Sequence, residues 1–139
     1  SASTIRRSLE SLKTQTYKDF ETVIVDNNCS DASMIIAQEY VEDLNIRVVS
    51  CTVQGIVPAL NAGLHAAASP LIARQDADDY WYPEKLENVY KKIQVCYETD
   101  VICHNERMFN KTSQKTQNIS HVRKAKDMYK SMLLEGNCL

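Results

Sequence analysis

Apolar residues recur along this chain at two spacings. Ile5, Leu9 and Leu12 fall on one helical face, with Arg6, Arg7, Glu10 and Lys13 between them. That pattern predicts an amphipathic helix starting within the first four residues. Phe20 to Val25 is strand-like and ends at Asp26. Asn27, Asn28, Cys29, Ser30 and Asp31 are loop chemistry, and Ser30 or Asp31 suits the cap of a second helix. Ile35, Ile36, Tyr40, Val41 and Leu44 mark that helix, and Ile46 to Val49 is a short β-branched strand. Gln54-Gly55 opens a third helix over Ile56–Ala68, with Gly63 inside it. Pro70 to Gln75 reads as the next strand. Pro83 suits the first position of a fourth helix, whose stripe is Leu86, Val89, Tyr90, Ile93 and Tyr97. Val101–Cys103 predicts another strand, the polar residues 110–120 a loop, and Arg123–Leu134 a last helix.

Strands alternating with helices of this length imply βαβ units and a mostly parallel sheet, hence an α/β fold. No internal repeat or linker divides the chain, so residues 1–139 are expected to form one domain. The order begins on a helix that would normally follow a strand. It ends at Gly136-Asn137-Cys138-Leu139 as if another element followed. A partial domain, truncated at both ends, is therefore expected.

Composition narrows the class. At 44% hydrophobic and 24% charged the chain is ordinary for a globular domain, which excludes a disordered or low-complexity protein. A net charge of −2 gives no field for a general nucleic-acid binder, so an anionic ligand would need local groups and a metal. The five cysteines, Cys29, Cys51, Cys96, Cys103 and Cys138, are widely spaced with no Cys-x-x-Cys pair. That argues for free thiols in a reducing, cytoplasmic setting rather than a zinc site or disulfide framework. No apolar run approaches membrane-spanning length, and the basic face of residues 123–130 allows at most peripheral membrane contact.

The densest chemistry follows the Pro70–Gln75 segment. Asp76, Asp78 and Asp79 place three carboxylates within four residues, just before Tyr80, Trp81 and Tyr82. Carboxylates that close repel unless a cation sits among them, and an oxygen-only set suits Mg²⁺ or Mn²⁺. Taken alone, an acidic turn is more often a solvated loop, because Asp is also a turn and capping residue. Topology favours the metal. In a parallel sheet all strand C-termini lie on one edge, so Asp26 and Asn27 would share a crevice with Asp76 and Asp78.

Three stretches then resemble family 2 glycosyltransferases of the GT-A fold, in order and at the family's spacing. They are Ser8–Asn27, Gly55–Leu64, and Ile72–Asp79 followed by Pro83–Glu87. Leu134–Cys138 resembles the segment before the acceptor-side half of such enzymes. The resemblance implies a Rossmann-like GT-A domain carrying the donor-binding half of an inverting transferase. Such an enzyme moves a sugar from a nucleotide diphosphate sugar to a saccharide or other hydroxyl acceptor. It assigns Asp26 and Asn27 to the nucleobase and Asn61 and Arg74 to the nucleotide pocket. Asp76 goes to the ribose or a metal-bound water, and Asp78 to Mn²⁺ or Mg²⁺. Asp79 would shape the turn. The catalytic base is expected beyond Leu139, since Glu106 reads better as a surface residue.

This chain departs from the family pattern in three places. Position 27 is often Asp and is Asn here, so it carries both donors and an acceptor. Asn28-Cys29 replaces the usual turn glycine, which Asn can mimic in the left-handed conformation. Leu60 stands where some subfamilies carry Arg. Trp81 and Tyr82 could stack on a sugar ring or staple the following helix. Cys29 could be reactive, though a bystander thiol fits better without an adjacent cation. His65, His104 and His121 match no ligand spacing, and Gly63 suggests close helix–strand approach. Two other classes share parts of this pattern. A nucleotide-sugar-binding module without catalysis would lack the base, and a receiver-like α/β phosphate protein would need a later Lys at a strand end.

Overall fold

The computed structural model describes residues 2–96, 100–110 and 112–119. The helix Ala2–Lys13 (α1) forms where the apolar spacing predicts it. Its Ile5, Leu9 and Leu12 are buried with Ala37, Tyr40, Leu44 and Trp81 in one core cluster. Full burial of one such aliphatic side chain is worth about 1.5–3 kcal/mol. The strand Thr22–Asp26 (β1) pairs in parallel with Ile46–Ser50 (β2), from Thr22 opposite Ile46 to Asp26 opposite Ser50. Between them Ser33–Gln38 (α2) is shorter than its apolar pattern suggested, but Tyr40 and Leu44 still reach the core through the turns that follow.

The helix Ile56–Ala66 (α3) packs on β1. A Cβ on Gly63 would lie 3.1 Å from Val25 Cγ2, so glycine permits the close approach expected there. Gly55 precedes α3 at φ 134°, where a side chain would be strained. The helix Lys85–Val95 (α4) starts two residues after Pro83. Fully buried Gln15 fixes that start. Its Nε2 donates to Ser11 O (3.0 Å) and Tyr82 O (2.9 Å), and its Oε1 accepts from Leu86 N–H (3.0 Å).

Residues from Val95 onward belong to a second compact unit. There Glu106–Asn110 (β3) pairs antiparallel with Lys115–Ile119 (β4). Gln114, at φ 55°, lies in the turn.

Three local expectations are corrected. Pro70–Gln75 takes no regular secondary structure and forms no ladder among the described residues, and Leu71 and Ile72 stay half-exposed. An extended segment becomes a strand only when a neighbour takes its backbone bonds. Val101–Cys103 likewise forms no strand. The polar stretch 110–120 is not a plain loop, because Lys115–Ile119 within it is β4, paired along its length with β3. The helix expected at Arg123–Leu134 lies outside the described residues.

Candidate functional site: the end of β1 and an acidic turn

β1 and β2 run parallel, so the chain leaves both at the same edge of the sheet. The first cluster sits there. Asp26 accepts the Cys29 N–H on Oδ1 (2.9 Å), and its carbonyl accepts the Cys51 N–H (2.9 Å). Asn27 spends its amide on the loop after β2. Nδ2 donates to Cys51 O (2.8 Å) and Val53 O (2.6 Å), while Oδ1 accepts the Gly55 N–H (2.9 Å). Asn28 adopts the left-handed conformation anticipated for it, at φ 59°. Its Nδ2 donates to Thr52 O (3.0 Å) and, at 3.4 Å, to Gln54 Oε1. The Cys29 thiol is pushed up, first by burial and then by the neighbouring Asp26 carboxylate.

The second cluster is the turn Asp76–Asp79, closed by the Asp79 N–H on Asp76 O (3.0 Å). Helix α1 holds its backbone. Arg7 Nη2 donates to Asp78 O (2.8 Å), and Ser8 Oγ to Asp76 O (3.4 Å). Gln75 Nε2 bridges Ser11 Oγ (3.1 Å) and Asp79 O (3.4 Å), and its Oε1 is buried without a partner among the described residues. The carboxylates of Asp76, Asp78 and Asp79 lie at the surface. Arg74 meets Asp76 through Nε (3.1 Å) and Nη2 (3.0 Å). Both side chains of that ion pair are about half exposed, 49% and 52%, so it is worth at most about 1 kcal/mol and yields readily to a ligand.

Of the anticipated residues, Arg74 and Asp76 are thus brought together, and Asp26 and Asn27 share the β1 end. Asn61 is exposed on α3, its carbonyl 2.7 Å from His65 Nδ1. Trp81 is corrected as a sugar-stacking candidate. It is 6% exposed, in the core, with Lys85 Nζ 3.7 Å from its ring centre. Tyr80 and Tyr82 are the exposed aromatics of the segment, set edge to face at 6.0 Å. Arg7, Ser8, Ser11 and Gln75 went unnoticed in the sequence. Their contacts span 64 to 71 residues, which no local pattern reveals.

Among the described residues no group of three or more His, Cys, Asp and Glu side chains forms a metal cage. The donor set still suits a hard cation that takes most of its ligands elsewhere. Two surface carboxylates on one short turn would supply one or two oxygens, and a diphosphate ligand would supply others.

In open α/β folds ligands bind beyond the carboxyl ends of the parallel strands, where Asp26 and Asn27 stand here. The family model for glycosyl transferase family 2 matches residues 1–137, and the chain belongs to that family. It is 35% identical over 109 residues to glycosyltransferase GlyA of Streptococcus pneumoniae, covering 78% of this chain and 16% of GlyA. It is 37% identical over 112 residues to the putative glycosyltransferase EpsH of Bacillus subtilis, covering 79% of this chain and 32% of EpsH. The crystal structure of S. aureus TarS 1-349 in complex with UDP superposes with a TM-score of 0.63 at 28% identity. That match covers 68% of this chain and 29% of the TarS chain. The chain thus spans under a third of the length of GlyA and the TarS chain and about a third of EpsH. The fold is Rossmann-like, of the GT-A type, with its parallel pair flanked by helices.

Proposed function

We propose that this chain is the donor-binding part of an inverting, metal-dependent glycosyltransferase that uses a nucleotide diphosphate sugar. The observation that carries this is the acidic turn. Its backbone is fixed on α1 while the Asp76 and Asp78 carboxylates face outward, in a chain of family 2 whose structural neighbour is a UDP complex. Asp26 and Asn27 serve the nucleobase side. Asn61, Arg74 and Asp76 serve the nucleotide, and Asp76 and Asp78 hold Mn²⁺ or Mg²⁺.

A divalent ion on the diphosphate neutralises the charge that develops as the sugar–phosphate bond breaks. The protein's share is orientation. Arg7, Ser8 and Gln75 keep the turn from moving. Arg74, already beside Asp76, can transfer its donors to a phosphate oxygen when the carboxylate takes another partner. Inverting displacement also needs a base for the acceptor hydroxyl. No described residue is assigned that role. The acceptor is a saccharide or other hydroxyl compound, and the setting is cytoplasmic with at most peripheral membrane contact. Four cysteines free among the described residues support that setting.

The test is calorimetric titration of the full-length protein with UDP, GDP and dTDP, each with Mn²⁺ and with EDTA. Binding of one nucleotide that requires the metal is the expected result. A folded protein that binds none of them is instead a module without donor binding, and the proposal fails.

A further inference from the structure

We infer that Asn27 is a positioning residue: its amide, with that of Asn28, clasps residues 51–55 against the end of β1, and a carboxyl at position 27 could donate only when protonated, and then to a single carbonyl. The inference rests on the nucleotide-binding reading of this edge for its consequence, though not for its geometry. Three successive carbonyls, of Cys51, Thr52 and Val53, each accept a side-chain amide hydrogen from Asn27 or Asn28. In return the Gly55 N–H donates to Asn27 Oδ1. The amide orientation follows from its partners. Two carbonyls stand on one side of Asn27 and one N–H on the other, so Nδ2 must face the carbonyls.

Residues 51–55 lie between β2 and α3, where the carbonyls of Cys51, Thr52 and Val53 take no ladder or helix bond among the described residues. The clasp supplies those bonds and also fixes Gly55, whose positive φ starts α3. Both donors of Asn27 are consumed, so it cannot also donate to a base edge. It acts on the nucleotide through the loop it holds. A carboxylate there has acceptors only, and would set negative oxygen against two carbonyls. The titratable groups facing this position are Asp26 on β1, the Cys29 thiol, and the Cys51 thiol, which shares Val53 O at 3.4 Å.

The test is residue-resolved amide hydrogen exchange on the full-length protein, read as the Gly55 protection factor at pH 5 and pH 8. Wild type measured at both pH values removes the contributions of Asp26, Cys29 and Cys51. Asn27→Ala is expected to lower Gly55 protection by about tenfold. Near-isosteric Asn27→Asp, which preserves packing if the Ala variant fails to fold, is expected to match that loss at pH 8 and regain part of it at pH 5. Titration of the same proteins with UDP, GDP and dTDP plus Mn²⁺ should show affinity falling with protection. Unchanged Gly55 protection in Asn27→Ala, or wild-type protection in Asn27→Asp at pH 8, overturns the clasp. Lost protection with undiminished nucleotide affinity overturns its positioning role. A wild type that binds no nucleotide but shows the expected protection pattern overturns the functional reading and the positioning role with it, while the clasp stands.

Discussion

At the end of β1 the side chains of Asn27 and Asn28 are spent on the backbone of residues 51–55. In the turn Asp76–Asp79 the backbone is spent on α1, and the carboxylates are left at the surface. One cluster uses polar side chains as scaffold. The other uses scaffold to hold polar side chains at the surface. A polar residue near a ligand site therefore says little until its hydrogen bonds are assigned. Neutral amides with both donors filled build a wall, whereas exposed carboxylates on a pinned backbone can take a cation.

That contrast breaks first where α1 meets the second cluster. Gln15→Ala removes a fully buried side chain and leaves the Leu86 N–H without its acceptor. It is expected to cost roughly 1–3 kcal/mol, read as a lower urea midpoint, because buried partners lose their bonds. Gln75→Ala acts closer to the turn. Its Nε2 contacts are long and its Oε1 has no partner among the described residues, so the stability loss should be about 1 kcal/mol. Metal-dependent nucleotide affinity should weaken about threefold to tenfold as the turn loosens. Arg7→Ala deletes one exposed bond to Asp78 O and should cost about 0.5–1 kcal/mol, with roughly a twofold loss of affinity.

The smallest effect concerns acid. The Arg6 guanidinium holds the Glu39 carboxyl below its ordinary value of 4.5. A depressed carboxylate stabilises the fold above its unfolded value and loses that contribution as pH falls through the folded one. The pair is exposed at the surface, about half open on each side. Glu39→Gln should therefore lower the urea midpoint slightly at pH 7, and the gap to wild type should close as pH falls through the folded value. Neither of the two clusters should feel it, so nucleotide affinity at pH 7 stays unchanged.

Much of this was legible in the sequence, for reasons particular residues make clear. The stripe of Ile5, Leu9 and Leu12 announced α1 and its buried face, because helical periodicity is a local signal. Gly63 announced the close approach to Val25. The acidic turn and the asparagines stood out by composition, yet sequence could not separate a wall from a ligand set. That distinction lies in contacts such as Asn27 with Val53, 26 residues apart. Local apolarity also misled. α3 is rich in apolar residues, yet Ile56, Val57 and Leu64 are exposed, because burial needs a partner surface. Pro70–Gln75 has strand composition without a pairing neighbour among the described residues, and Lys115–Ile119 is a strand that owes its form to pairing with β3 rather than to apolar alternation.

The most direct measurement is titration of wild type and Asp78→Ala side by side with the preferred nucleotide and Mn²⁺, together with urea unfolding of each. Asp78 is exposed and its backbone carbonyl, not its side chain, meets Arg7. The expected result is an unchanged unfolding midpoint with metal-dependent binding abolished. Undiminished Mn²⁺-dependent affinity in Asp78→Ala would contradict the account, because the outward carboxylate would then have no part in holding the donor.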